Sequence, residues 1–316
     1  MSAPSTAREF PPVPVIVGPT GVGKTALSLE IARHLPVEIV SADSRQIYRY
    51  LDIGTAKPPP EARARIPHHF IDILNPDEEY SAGEYSKAAR KVIGEILRRD
   101  KIPLVVGGSG LYIRALLRGF FREDVKDPEI RRRLEARLQQ EGETALFEEL
   151  RRVDPEAAER IHPHNTRRVI RALEVYYACG TPLSVLQREQ PDPAPFPWII
   201  FGLNMPRKEL YARINRRVEA MFEDGLVEEC RRLLAMGYSP ELNALNSVGY
   251  KEVFAYLRGE MDLFTCKELV KQNTRRYAKR QLTWFRKEPD IQWHRIHSPE
   301  EIADVARAIV AAHPWK

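Results

Sequence analysis

The run Gly18, Pro19, Thr20, Gly21, Val22, Gly23, Lys24, Thr25 matches the pattern GxxxxGK[ST]. Glycines at that spacing let the backbone turn tightly, so that successive N–H groups face one anion with the positive end of the following helix behind it. Lys24 adds a point charge, and the Thr25 hydroxyl suits Mg²⁺. A diphosphate cradle is therefore predicted. Loops of this kind that hydrolyse nucleotides work with an acid at the end of a second buried strand, yet the apolar run Ile102 to Val106 closes on Gly107-Gly108-Ser109-Gly110. Two carboxylates are candidates to take its place. Asp72, inside Phe70-Ile71-Asp72-Ile73, is either a substitute acid or a surface position on an edge strand. Asp43 follows the run Val37 to Val40, where open α/β sheets place their ligands, and either serves a ligand or caps its own turn. Nucleotide hydrolysis is not implied.

The elements that must hold these residues alternate. Val13 to Val17 predicts a strand, Thr25 to Leu35 a helix with Leu27, Ile31 and Leu35 on one face, Val37 to Val40 a strand, Tyr85 to Arg99 a helix and Ile102 to Val106 another strand. Such alternation predicts an α/β fold, a P-loop NTPase-like parallel sheet flanked by helices. After Gly119 the sequence turns to Arg, Glu, Leu and Ala at helical spacing, over Pro128 to Leu150 and Pro155 to Cys179. This predicts an all-helical insertion domain over 119–197, ending in the proline-spaced linker Gln190 to Pro197, with the catalytic core over 1–118 and 198–316. Trp198 to Leu203 returns as a strand. Helical segments follow over Arg207 to Met236, Ser247 to Leu257 and Phe264 to Arg286, then a strand over Ile291 to Ile296 and a closing helix.

At 316 residues, 43% hydrophobic and 29% charged, the chain has the composition of a soluble two-domain protein. No apolar run nears the roughly 20 residues that a spanning helix needs, and Met1 to Pro12 lacks a signal-peptide pattern, so a flexible leader and a cytoplasmic location are expected. Cys179, Cys230 and Cys266 have neither disulfide nor zinc spacing and are expected as reduced, structural thiols. His68, His69, His162 and His164 have no Cys or carboxylate at ligand spacing, which argues against zinc. The net charge of +5 is compatible with a polyanionic partner. Between Lys271 and Lys287 seven basic residues and no acid are interleaved with Tyr277, Trp284 and Phe285. This is either a solvated helix face or a surface for phosphates and stacked bases.

With SADSRQIYR (Ser41 to Arg49), GGSGLY (Gly107 to Tyr112), NTRRVIRALEV (Asn165 to Val175), YARINRRVEAM (Tyr211 to Met221), NSVGYKE (Asn246 to Glu252) and RRYAKRQLTWFRK (Arg275 to Lys287), the chain resembles the tRNA dimethylallyltransferases, also called isopentenyl-tRNA transferases. The likeness runs from the P-loop to about Lys287. It implies transfer of a prenyl group from dimethylallyl diphosphate to N6 of the adenosine 3′-adjacent to the anticodon, with Mg²⁺ present and diphosphate released. That would account for the missing acid, since the loop would hold a leaving group. The resemblance implies Asp43 as the base, Lys24 and Arg217 as stabilisers of the leaving diphosphate, and Ser109, where the family more often has Thr, as a hydroxyl in the site. Arg213 lies one helical turn before Arg217 and either joins it or is a solvated charge.

The tRNA anticodon stem-loop is expected to meet Asp43, Ser44, Arg45 and Gln46, then Arg167, Arg168 and Arg171 on the insertion. A further group comprises Asn246, Gly249, Tyr250, Lys251, Arg275, Arg276, Tyr277, Lys279, Arg280 and Gln281. A prenyltransferase acting on free AMP would need the same loop and base but little RNA surface. A small-molecule kinase would need the acid that is absent after Val106. An RNA binder gated by a nucleotide would use Asp43 only as a turn residue. Nothing in the sequence demands a partner subunit, so a monomer is expected, and the C-terminal zinc finger that some relatives carry is not expected.

Overall fold

A computed structural model describes residues 10–119, 127–188, 193–313 and 315. Residues 1–9 of the expected leader and 190–192 of the expected linker lie outside the described residues. Six strands, β1 (Val13–Val17), β2 (Val37–Ala42), β3 (His68–His69), β4 (Ile102–Gly107), β5 (Trp198–Asn204) and β6 (Ile291–Arg295), form one parallel sheet in the order β3-β2-β4-β1-β5-β6. β1 and β2 are buried at every position, as strands covered on both faces must be, with Glu38 of β2 paired to His69 and Arg99. The helices are α1 (Lys24–Ile31), α2 (Pro60–Arg65), α3 (Ala82–Arg98), α4 (Gly110–Arg118), α5 (Pro128–Val153), α6 (Pro155–Arg160), α7 (Thr166–Cys179), α8 (Leu183–Arg188), α9 (Arg207–Glu223), α10 (Leu226–Ala235), α11 (Tyr250–Leu257), α12 (Leu263–Phe285) and α13 (Ile302–Ala312).

Register sets up the site. Ala42 of β2 and Val17 of β1 both align with Gly107 of β4, so the three strands end side by side. A Cβ on Gly107 would lie 2.1 Å from the Ala42 carbonyl oxygen, so only glycine allows this approach. Below that rim, Ile16, Leu104, Phe201 and Leu203 pack against Leu27 and Ile31 of α1, Leu210 and Ile214 of α9 and Ile309 of α13. α3 packs on β2 and β4. Its fully buried Tyr85, Ala89, Ile93 and Ile96 follow the helical period. Ser81 starts it with a reciprocal capping box to Glu84.

Several boundaries differ from the sequence expectations. α1 stops at Ile31, before Leu35, which still packs on the core. The stretch Arg207 to Met236 is two helices, because Gly225 takes φ 99° between them. Strand β2 runs two residues beyond Val40, which puts Asp43 directly at its end. The helix α4 was hidden behind the glycines Gly107 to Gly110, which look like an extended loop in the sequence.

The chain divides into two compact units, Met1–Leu117 with Ala194–Lys316, and Arg118–Pro193. The Ala194 N–H donates to the Leu117 carbonyl at 2.9 Å, within the first unit. The second unit has its own core of Leu134, Leu146, Leu150, Val169 and Leu173. Its buried Asp154 caps α6 through the Ala157 N–H (3.0 Å) and accepts from the Ser184 N–H (2.9 Å), tying α6 to α8. Asp154→Ala leaves both donors unpaired at a cost of about 1–3 kcal/mol each. A lowered thermal midpoint is the expected result, and an unchanged midpoint would show that this carboxylate holds nothing.

Candidate functional site

The cradle is built from backbone that only glycine readily adopts: Gly18, Gly21 and Gly23 take φ 148°, 81° and 114°. This turn delivers Lys24 as the first residue of α1, and its Nζ arches back to the carbonyls of Gly18 (2.9 Å) and Pro19 (3.0 Å). Burial pushes the Lys24 ammonium down to about 8, against the pull of the Asp43 charge and with the push of Arg217. Thr25 is exposed on the first turn of α1. Two turns of α9 bring in arginines. Arg217 is held below its ordinary range by burial, with Asp43 countering and Arg213 adding to the effect. Arg213 also titrates low, by burial first and Arg216 second. Its Nη1 is buried with no hydrogen-bond partner among the described residues, and its Nη2 is 3.6 Å from where a Cβ on Gly23 would stand. A buried donor without an acceptor beside an anion loop fits an anion in the loop.

Asp43 combines the two sequence readings. Its Oδ1 accepts from the N–H groups of Arg45 (2.9 Å) and Gln46 (3.3 Å), which is a turn cap, while Oδ2 makes no hydrogen bond among the described residues. The Asp43 charge is felt at Lys24, Arg217, Tyr112 and Tyr277. Burial, then Asp43, pushes the Tyr277 hydroxyl up to about 12. Ser109 completes this edge: its N–H donates to the Ala42 carbonyl (3.2 Å) and its carbonyl accepts from Ile113 in α4 (3.1 Å). P-loop, Asp43 and Ser109 thus share one edge of the sheet, with α9 and α12 contributing Arg217 and Tyr277.

Other expected site residues have different surroundings. Asp72 is no acid for the cradle: it has φ 56° beyond the edge strand, and its two oxygens are taken by Lys57 Nζ and Arg63 Nη1, each at 2.5 Å. Gln281 is buried rather than presented to RNA. Its Oε1 accepts from the P-loop Thr20 N–H (2.8 Å) and its Nε2 donates to the Gly108 carbonyl (2.9 Å). Tyr250 is fully buried and donates to Glu229 Oε1 (2.6 Å), whose carboxylate also takes the N–H groups of Asp52, Ile53 and Gly54. Gly249 is buried as well, its N–H donating to Glu252 at 2.8 Å. Gln46 spends its amide donors on the carbonyls of Thr55 and Ala56. Arg45 Nη1 donates to the Asn243 carbonyl and Arg275 Nη1 to Asn215 Oδ1.

Asn246, Lys251, Arg276, Tyr277, Lys279 and Arg280 are exposed, and Ser44 is half-buried. On α7 of the second unit Arg167 and Arg168 are exposed, whereas Arg171 pairs with Glu174 at 3.2 Å. His69 lies 2.8 Å from Glu38 and His164 contacts Glu143. Cys230 and Cys266 are buried and Cys179 is exposed.

Gln281 joins the cradle to the basic helix, a role that its place in a basic stretch did not signal. Gln281→Leu is expected to lower the thermal midpoint, since it strands two backbone groups at about 1–3 kcal/mol each. It is also expected to weaken binding of inorganic diphosphate to the cradle severalfold by freeing Thr20. A variant with wild-type midpoint and diphosphate affinity would show that the two hydrogen bonds do not position the loop.

Residues 46–288 match the family model described as IPP transferase, and residues 11–73 match that described as isopentenyl transferase. A tRNA dimethylallyltransferase of Syntrophobacter fumaroxidans is 50% identical over 283 residues, covering 89% of this chain and 83% of that protein. The chain belongs to the tRNA dimethylallyltransferase family. Family members are prenyl-transferring enzymes. A second relative of the same name, from Alkaliphilus oremlandii, is 45% identical over 94% of this chain and 95% of its own length. Among solved structures, a full-length tRNA isopentenylpyrophosphate transferase from Bacillus halodurans aligns over 95% of both chains at 40% identity and a TM-score of 0.69. A eukaryotic dimethylallyltransferase described as acting on tRNA aligns over 96% of this chain and 80% of its own at 30% identity and a TM-score of 0.83.

Proposed function

We propose that the protein transfers a dimethylallyl group from dimethylallyl diphosphate to N6 of the adenosine 3′-adjacent to the anticodon of a tRNA, releasing diphosphate. The observation that carries this reading is the meeting of the P-loop Lys24 and of Arg217 with one carboxylate, Asp43, that keeps an oxygen open, with Arg213 next to Arg217. A kinase or ATPase site has its acid against the phosphates on a second strand. Here the acid faces the cations from the end of β2, where an acceptor base would sit.

The N6 lone pair is delocalised into the adenine ring, so N6 attacks weakly. As the N6–carbon bond forms and the carbon–oxygen bond breaks, N6 turns acidic, and its proton passes to Asp43 Oδ2. Oδ1 stays bound to the Arg45 and Gln46 amides, which fixes the carboxylate in place. The electron pair of the broken bond leaves on the diphosphate, whose charge is met by Lys24, the loop amides, Arg217 and the unpartnered Nη1 of Arg213. The Ser109 hydroxyl hydrogen-bonds the reacting groups.

Mg²⁺ is the cofactor we assign. Among the described residues no three His, Cys, Asp or Glu side chains converge as a metal site. A cation here would be held by diphosphate oxygens, water and the Thr25 hydroxyl, a donor set that suits Mg²⁺, and it would neutralise charge on the leaving group. Exposed Arg276, Lys279 and Arg280 on α12, Asn246 and Lys251 by α11, and Arg167 and Arg168 on α7 are the RNA contacts we assign. No helix among the described residues is long and apolar enough to cross a membrane. We assign the cytosol, where tRNA is found, as the compartment and a monomer as the working form.

With AMP in place of tRNA no prenylated product is expected, and with ATP in place of dimethylallyl diphosphate no phosphorylated product. Either product, followed by chromatography, would overturn the assignment of substrates. A pH effect follows from Lys24, whose pKa of about 8 in the free protein must rise when a diphosphate sits beside it. Binding then takes up a proton above pH of about 8. The KM for dimethylallyl diphosphate should climb as pH rises through that value, and Lys24→Ala should flatten the climb. A flat wild-type profile would contradict the placing of Lys24 on the diphosphate.

A further inference from the structure

Glu229, on the first turn of α10, is 1% exposed. Its neighbour Glu228 pairs with Arg231, whereas Glu229 makes no ion pair among the described residues. Neutral donors meet its oxygens instead. Oε2 accepts from the N–H groups of Asp52 (3.0 Å) and Ile53 (2.8 Å), and Oε1 from the Gly54 N–H (3.1 Å) and the Tyr250 hydroxyl (2.6 Å). Burying a carboxylate is costly unless its oxygens are satisfied, and here three of the bonds that satisfy it go to consecutive amides of one loop. The Tyr250 ring lies against the same loop, since a Cβ on Gly54 would stand 2.5 Å from two of its carbons.

The loop is joined in turn to the segment that carries Asp43. The carbonyls of Thr55 and Ala56, directly after the three amides, accept from Gln46 Nε2 at 3.1 and 3.2 Å. The Gln46 N–H donates to Asp43 Oδ1 at 3.3 Å. Arg45, whose N–H is the other donor to Oδ1 (2.9 Å), is tied to the same region, its Nη1 donating to the Asn243 carbonyl at 2.6 Å. Both amides that set the angle of the Asp43 carboxylate are thus anchored, through their own side chains, on the stretch from Glu229 to Tyr250. Oδ2 has no hydrogen bond of its own among the described residues, so its direction follows from these two.

We propose that Glu229 is a positioning residue for prenyl transfer: by fixing the amides of Asp52 to Gly54 it holds Gln46, and through Gln46 it keeps Asp43 Oδ2 aimed at the acceptor amine. The proposal rests on the tRNA-prenylation reading and extends it from the residues at the reacting atoms to a buried carboxylate on another helix. Catalysis is sensitive to such a hold, because a displacement of about 1 Å at a reacting group can cost about 10²-fold in rate.

The test is a double-mutant cycle. Single-turnover rate constants for prenylation of an anticodon stem-loop RNA are measured for the wild type, Glu229→Gln, Asp43→Asn and the double variant, with a melting curve for each. Glutamine keeps one accepting oxygen but turns an NH₂ group on the loop, so at least one of the three amides loses its partner. Transfer is expected to slow about 10- to 100-fold in Glu229→Gln. In the Asp43→Asn background, where no base is left to misplace, the same change is expected to cost less than about twofold. A carboxylate that served stability alone would lower the midpoint and cost the same factor, or none, in both backgrounds. Either result, with a wild type that prenylates the RNA, would overturn the positioning role alone. Where Glu229→Gln does not fold, Tyr250→Phe decides: it removes one donor to Glu229 and keeps the ring against Gly54. It is expected to slow transfer about threefold, again only while Asp43 is present, and an unchanged rate would overturn the proposal. A wild type that leaves the RNA unmodified would overturn the function on which the proposal depends.

Discussion

Asp43→Asn slows prenyl transfer by about 10²–10⁴-fold, the range for loss of a positioned general base, and leaves the fold intact. The distinction matters because Asp43 does two things with two oxygens. Oδ1 holds the turn through the Arg45 and Gln46 amides, and an Asn carbonyl can keep both of those bonds. In the proposed mechanism Oδ2 takes the proton, which an amide cannot do. Asp43→Ala removes both, so it should show the same loss of rate and, in addition, a lower thermal midpoint by the loss of a turn cap of about 1 kcal/mol. Rate constants under single-turnover conditions and melting curves separate the two effects. An Asn variant with wild-type rate would make Asp43 a turn residue only.

Arg217→Ala is expected to cost about 10²–10³-fold in kcat, comparable to removing one donor from a preorganised anion site. Arg217 is desolvated, and the charge of Asp43 offsets part of the cost of burying its guanidinium. In the proposed mechanism diphosphate charge grows, as the carbon–oxygen bond breaks, where Arg217 and Lys24 already stand, so no reorganisation is needed at that moment. Arg213→Ala should cost less in kcat and more in KM, because its spare Nη1 meets charge that is present before reaction as well as after. An Arg217 variant with undiminished kcat would move leaving-group stabilisation away from α9. Arg217→Lys is not expected to restore the rate, since a point charge cannot reproduce the planar donor pair.

The parts of this site that were legible in the sequence are those whose chemistry is local. Gly18 to Thr25 declares itself because φ of 81° to 148° at fixed spacing is readily met by glycine alone, and an unbroken apolar strand before it and an apolar-faced helix after it fix its setting. Asp43 was legible as a strand-end carboxylate, although β2 extends to Ala42. What was not legible depends on contacts between distant residues. Gln281 stands among basic residues, yet it falls on the same buried face of α12 as Val270, Ala278 and Phe285 and reaches Thr20, 261 residues away. Tyr250 stands between Gly249 and Lys251 with no apolar period to mark it, and it is buried because Glu229 on α10 supplies the acceptor its hydroxyl needs. Asp72 looked available because its partners Lys57 and Arg63 come from loop and helix positions with no periodic pattern. In the same way the run Gly107 to Gly110 concealed a helix start, since close approach to Ala42 and Trp284, rather than loop flexibility, is what requires glycine at Gly107 and Gly110.

The most direct measurement is mass spectrometry of nucleosides from tRNA incubated with the protein, Mg²⁺ and dimethylallyl diphosphate. One adenosine per tRNA, adjacent to the anticodon, should be heavier by a single prenyl group in step with diphosphate release, and the Asp43→Asn reaction should leave nearly all of it unmodified. Unmodified tRNA from the wild-type protein, or full modification by the Asp43→Asn variant, would contradict a P-loop that holds a leaving diphosphate opposite a carboxylate base.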